Sequence, residues 1–169
     1  MPLTPSEIAR STLDQMFAAL SGMLEKAAAH AQARNVEEQI FLNWRLAPDM
    51  FPLTRQVQIA CDIAARGLTR LAGAEPVSTP DTETSFEALR ARVAKAYAAI
   101  QELDAAKIDA DPDAEIAFPV GQETMTLKRR DYLLNFVLPN VYFHVSITYG
   151  LLRACGVPLG KADFLARPR

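Results

Sequence analysis

Cysteine, histidine and tryptophan are scarce in this chain, at two, two and one among 169 residues. Cys61 and Cys155 stand far apart with no C-x-x-C spacing, which excludes a zinc knuckle and a redox dithiol. Both lie among apolar neighbours and are expected to be small buried hydrophobes in a reducing compartment. Neither sign of charge is in excess: 18 basic side chains face 20 acidic ones. The densest basic run, Lys128-Arg129-Arg130, reads as a solvated helix start, so a nucleic-acid partner, which needs a clustered basic patch with interleaved aromatics, is not expected. No apolar stretch reaches the ~18 uncharged residues of a membrane span. The opening MPLTPSEIARSTL lacks the basic n-region and apolar h-region of a secretory signal. A cytoplasmic protein with no membrane partner is therefore expected. The glycines form neither a G-x-G-x-x-G nor a Walker loop, and there is no G-x-S-x-G nucleophile elbow.

What the chain does have is apolar residues at helical spacing. Half of it is hydrophobic and 22% charged, the balance of a globular protein, and its length fits one domain over residues 1–169. Ile8, Leu13, Met16, Phe17, Leu20, Met23, Leu24 and Ala27 recur mostly at threes and fours, predicting a helix over about residues 5–32, capped by Ser6 or Thr4. His30 falls at its fraying end and is assigned no role. From Ala33 to Pro52 periodicity fails and a long connection is expected, carrying Trp44, Arg45 and Asp49. Trp44, Met50 and Phe51 either plug one end of the fold or, with Arg45, cover a ligand.

A second helix spans about Leu53 to Ala72 with Gly73 suited to end it. Gln58, Asp62 and Arg66 share a face, and Asp62 with Arg66 has the spacing of a surface ion pair. Thr84 and Glu87 have capping-box spacing for a third helix starting at Ser85, whose buried face is Phe86, Leu89, Val93, Ala96, Tyr97, Ile100 and Leu103. The runs 115–118 and 123–127, either side of Gly121, predict a small hairpin. A last helix from about Lys128 to Ala154 contains Pro139, which should kink or interrupt it.

That last helix is apolar almost all round and holds His144. Asn140, His144 and Thr148 recur every four residues and so line one face, about 5–6 Å apart. A polar row inside an apolar helix needs partners, because burying an unbonded amide or imidazole costs on the order of 1–3 kcal/mol. Asp62, Gln56 and Gln58 of the second helix are the expected suppliers. Three readings follow: a satisfied core histidine, a weak divalent-metal site on His144 and Asp62, or a metal-free pocket in which Asp62, Asn140 and His144 bind a small molecule or move a proton.

The segments RLAPDMFPLTRQVQIACD (45–62), PNVYFH (139–144) and LLRACGVPLGKADF (151–164), with the order of elements around them, resemble a bacterial family of unknown function within the DinB/YfiT-like superfamily of metal-dependent helical proteins. The resemblance implies an all-α, DinB/YfiT-like four-helix bundle with a small β-hairpin between the third and fourth helices, and a homodimer. It also implies a divalent metal held by three histidines, one on the second helix and two from an H-x-x-x-H on the last. This chain departs from that pattern: the last helix retains at most one of the two, His144, and the second helix has none. A binding or stress-associated accessory protein with an inter-helix pocket around His144 is expected, with no cofactor beyond a weakly bound divalent metal. An altered metal-dependent transferase or hydrolase is the alternative. The candidate ligand-binding residues are His144, Asn140, Asp62, Gln58, Thr148, Trp44 and Arg45.

Overall fold

Thr4 opens the first helix, α1 (Pro5–Ala33), in the computed structural model, which describes residues 2–166; the outermost residues of the expected 1–169 domain lie outside the described residues. The Thr4 hydroxyl accepts from the Glu7 amide while the Glu7 carboxylate accepts from the Thr4 amide, and Pro5 occupies the first turn, where its missing N–H is no loss. Ser6, the other expected cap, turns away to Asp109, whose carboxylate accepts from the Ser6 amide and hydroxyl at 2.7 Å.

The connection after α1 is not irregular throughout. A short helix, α2 (Glu38–Leu42), interrupts it and buries Phe41 and Leu42. Five residues are too few for an apolar period to register, so nothing in the sequence pattern marked it. These two residues seal the core there. Trp44 and Phe51, expected to plug it, are instead 47% and 56% exposed.

Helix α3 (Leu53–Leu71) ends before Gly73, which takes the left-handed conformation at φ +72°. In α4 (Phe86–Gln101) the cap is Ser85, whose hydroxyl accepts from the Ala88 amide at 3.0 Å. The expected Thr84–Glu87 box does not form: helix geometry begins at Phe86, which leaves Glu87 one position short of the box, and the Thr84 carbonyl accepts from Gln39. Ala96 and Tyr97 of the expected buried face are only partly covered.

After α5 (Ala105–Ile108) comes the hairpin of β1 (Glu115–Val120) and β2 (Glu123–Lys128), antiparallel, with Glu115 opposite Lys128 and Val120 opposite Glu123. Its two-residue turn puts Gly121 at φ +62°, a conformation that strains any residue with a Cβ. Ile116 and Phe118 point from β1 into the core.

The chain from Arg129 to Ala154 is helical in three pieces rather than one kinked helix: α6 (Arg129–Asp131), a π-helical segment (Tyr132–Val137) and α7 (Leu138–Ala154). Pro139 has no amide to donate, and its ring would meet the Asn135 carbonyl in a regular α-helix; the wider π turn before it takes up both problems. Arg129 is not a solvated helix start. Its guanidinium donates to the carbonyls of Leu71, Lys107, Ile108 and Ala110 at 2.6–3.2 Å, joining the C-terminal ends of α3 and α5. A last short helix, α8 (Lys161–Phe164), follows.

The fold is mostly helical with one small two-stranded antiparallel sheet. Helix α1 packs against α4 and α7, and α3 packs against the same two. Their buried faces merge into one apolar cluster. Among the described residues no helix is long and apolar enough to cross a membrane.

Gly67 lets α3 approach the π segment closely. A Cβ built there would come within 2.7 Å of Val137 Cγ2. Such overpacking costs about 1–3 kcal/mol, while Gly→Ala in a helix interior recovers up to about 1 kcal/mol of propensity. Gly67→Ala is therefore expected to lower stability by about 1 kcal/mol in urea denaturation, whereas a surface Gly→Ala in a helix would raise it.

Candidate functional site

His144 sits in the middle of α7 with 8% of its surface exposed, facing α3. Its Nδ1 lies 2.7 Å from Gln56 Oε1. The roles in this pair follow from the other end of the amide: Gln56 Nε2 donates to the Phe51 carbonyl at 3.0 Å, so Oε1 is the acceptor that faces the ring. Nδ1 must then carry the proton, which leaves Nε2 as an unprotonated lone pair. That nitrogen has no hydrogen-bond partner among the described residues. Burial, and secondarily the positive charge of Arg55, pushes the imidazole pKa down from 6.5 to about 4. The group is a neutral base of fixed tautomer at pH 7.

The rest of the expected polar row does not reach across to α3. Asn140 donates to the Phe136 carbonyl at 2.7 Å and Thr148 donates to the His144 carbonyl at 2.9 Å, both four residues back on their own stretch of helix. Small polar side chains can satisfy themselves this way, so a row spaced by four need not meet partners elsewhere.

Asp62 is not the partner of His144 either. Its carboxylate accepts from Arg92 at 2.6 Å and pairs with Arg66 at 3.6 Å. Arg92, only 5% exposed, also holds Glu83 at 3.0 Å, Asp81 at 3.0 Å and the Pro80 carbonyl. Burial alone would raise the Glu83 carboxyl, but donation from Gln58 and Arg92 outweighs it and holds the group below the usual carboxylate range. Gln58 thus belongs to this ion network, not to the histidine. The buried arginine was the residue that sequence reasoning missed, although its place beside Val93 and three after Leu89 put it within the apolar stripe of α4.

Trp44 and Arg45 lie outside both groups. Trp44 lines an open cleft with His30, Arg34, Ile40, Phe41 and Cys155, and Arg45 donates to the Met50 carbonyl within its own loop. Cys61 is fully buried, and burial pushes its thiol up to about 12; Cys155 is half-exposed.

A metal of the kind implied by the resemblance does not fit these residues. Zinc and its neighbours take three or four nitrogen, sulfur or carboxylate ligands. His144 supplies one nitrogen, and the Asp62 carboxylate is engaged by two arginines. Among the described residues no group of three or more His, Cys, Asp or Glu side chains could hold a metal ion.

The sequence from residue 7 to 165 matches the model of the family described as a domain of unknown function, DUF1993. In structure the chain is similar to a DinB family member protein from Shewanella denitrificans, with 34% sequence identity over 95% of this chain and 90% of that one and a TM-score of 0.86. No match exists among curated proteins. The chain belongs to the DUF1993 family and shares the mostly helical fold of a DinB family member.

Proposed function

We propose that this DUF1993 protein is a binding or accessory protein, built as a DinB-like bundle of α1, α3, α4 and α7, that works without a metal through the imidazole of His144. The observation that supports this reading is the relay from the Phe51 carbonyl through Gln56 to His144 Nδ1, which presents Nε2 as a fixed, neutral acceptor. Such a nitrogen takes a hydrogen bond from a ligand N–H or O–H, or accepts its proton. One imidazole alone is a poor site for a metal.

Two measurements test the reading together. Nitrogen-15 NMR of the purified protein at pH 7 is expected to show His144 as the neutral Nδ1–H tautomer, and elemental analysis is expected to find no stoichiometric transition metal. A molar equivalent of zinc or nickel that disappears in His144→Ala would overturn the proposal. It would place the protein instead among altered metal-dependent transferases or hydrolases of the DinB/YfiT-like superfamily, for which an oriented imidazole is the usual ligand geometry.

A further inference from the structure

A second site lies on the face of α3 turned toward the hairpin and the π segment. Arg55, Ile59, Asp62, Ile63, Arg66 and Arg70 recur at threes and fours along one stripe of α3, and they form one wall of a cleft of about 220 Å³. Phe118 and Pro119 of β1, with Tyr132 and Phe136 of the π segment, form the other. The Tyr132 and Phe136 rings are stacked at 12°, with Phe118 tilted over both at 4.5 and 4.7 Å. The π segment brings those two residues to the cleft, and such segments are frequent at functional sites.

The cations of the stripe differ in how far they are neutralised. Arg55 is paired with Asp81, and Arg66 with Asp62. Arg70 has no carboxylate within ion-pairing distance among the described residues; its Nη1 donates to the Tyr132 hydroxyl at 3.3 Å. Arginine cannot accept a hydrogen bond, so that hydroxyl must be the acceptor, and its own proton is left to donate elsewhere. Tyr132 is 1% exposed, so its part is to hold the guanidinium at the cleft wall rather than to meet a ligand itself. A guanidinium that lines a cleft, has no counter-ion among the described residues and is held in place by a buried hydroxyl suits a carboxylate ligand.

The remaining walls define the rest of the molecule. Ile59, Ile63 and Phe136, each partly exposed, and Pro119 offer an apolar surface beside these donors. An apolar cavity of about 150 Å³ accommodates a benzene ring, so this cleft has room for one ring and a carboxylate. We propose that the cleft binds a small aromatic carboxylate, with its carboxylate on Arg70, which the Tyr132 hydroxyl positions, and its ring against Ile59, Ile63 and Phe136. This inference does not depend on the role of His144.

Titration with sodium benzoate, followed by nitrogen-15 NMR of the full chain, tests it. Benzoate is expected to give saturable shifts at the amides of Phe118, Tyr132 and Phe136 and at the Arg70 side chain. The midpoint should rise about tenfold in Arg70→Gln and several-fold in Tyr132→Phe, which keeps the ring and removes only the hydroxyl. Benzyl alcohol, with the ring but no charge, should not saturate. Three results would each overturn the proposal: no saturable shift up to about 20 mM benzoate, an unchanged midpoint in Tyr132→Phe, or identical shifts and midpoint with inorganic phosphate. Tyr132→Phe carries the test if Arg70→Gln fails to fold.

Discussion

Replacing Arg92 with alanine is expected to lower stability by about 3–5 kcal/mol, the range seen when one partner of a buried ion pair is removed. Its guanidinium holds three carboxylates and one carbonyl: Asp62, Asp81, Glu83 and Pro80. Two of those carboxylates are largely buried, with side-chain exposures of 17% for Asp62 and 10% for Glu83. Without the arginine they would face one another with little water to screen them. The same contacts tie residues 80–83 to α3 and α4, so the segment between these two helices should loosen as well. Asp81→Asn is expected to cost less than about 1 kcal/mol, because that carboxylate is 40% exposed. Urea midpoints at unchanged slope measure both. An Arg92→Ala loss no larger than that of Asp81→Asn would show that the network contributes little.

Acidification is expected to destabilise the protein through His144 in a window set by its two pKa values, about 4 when folded and 6.5 as its ordinary value. Above pH 6.5 the ring is neutral in both states and contributes no pH dependence. As the pH falls from 6.5 towards 4, the unfolded chain takes up a proton that the native one refuses, so stability falls; below 4 both are charged and the loss is complete. The ceiling on that loss is about 3 kcal/mol, and the water still touching the ring edge lowers the expected value to about 2 kcal/mol. His144→Gln should remove this dependence, and the difference between wild type and variant separates it from carboxylates such as Glu83, which titrate lower. A native His144 that titrates near 6.5 by NMR would refute the prediction and the neutral-base reading with it.

Local rules account for what was legible in the sequence. The apolar period of α1 and α3, a cap at Thr4, Gly73, the hairpin about Gly121 and the irregularity at Pro139 each involve residues within a few positions of one another. The burial of His144 was legible too, because the run around it is apolar on every side. Elements too short to show a period were not, as α2, α5, α8 and the π segment show. The tyrosine and arginine of the α3 cleft gave no local signal, since Arg70 and Tyr132 are 62 residues apart.

By itself the sequence determined which faces of the long helices are apolar, roughly where those stretches start and stop, and that one imidazole would lie inside. Only the tertiary structure decided the partners: Gln56 rather than Asp62 for His144, and Asp62 for Arg92. Gln56 and Asp62 are six residues apart, about 9 Å along the helix axis and about 240° around it. An apolar stripe wide enough to bury a helix leaves its axial register and rotation against a neighbour open by a residue or more. The fit of side chains across α3, α4 and α7 removes that freedom.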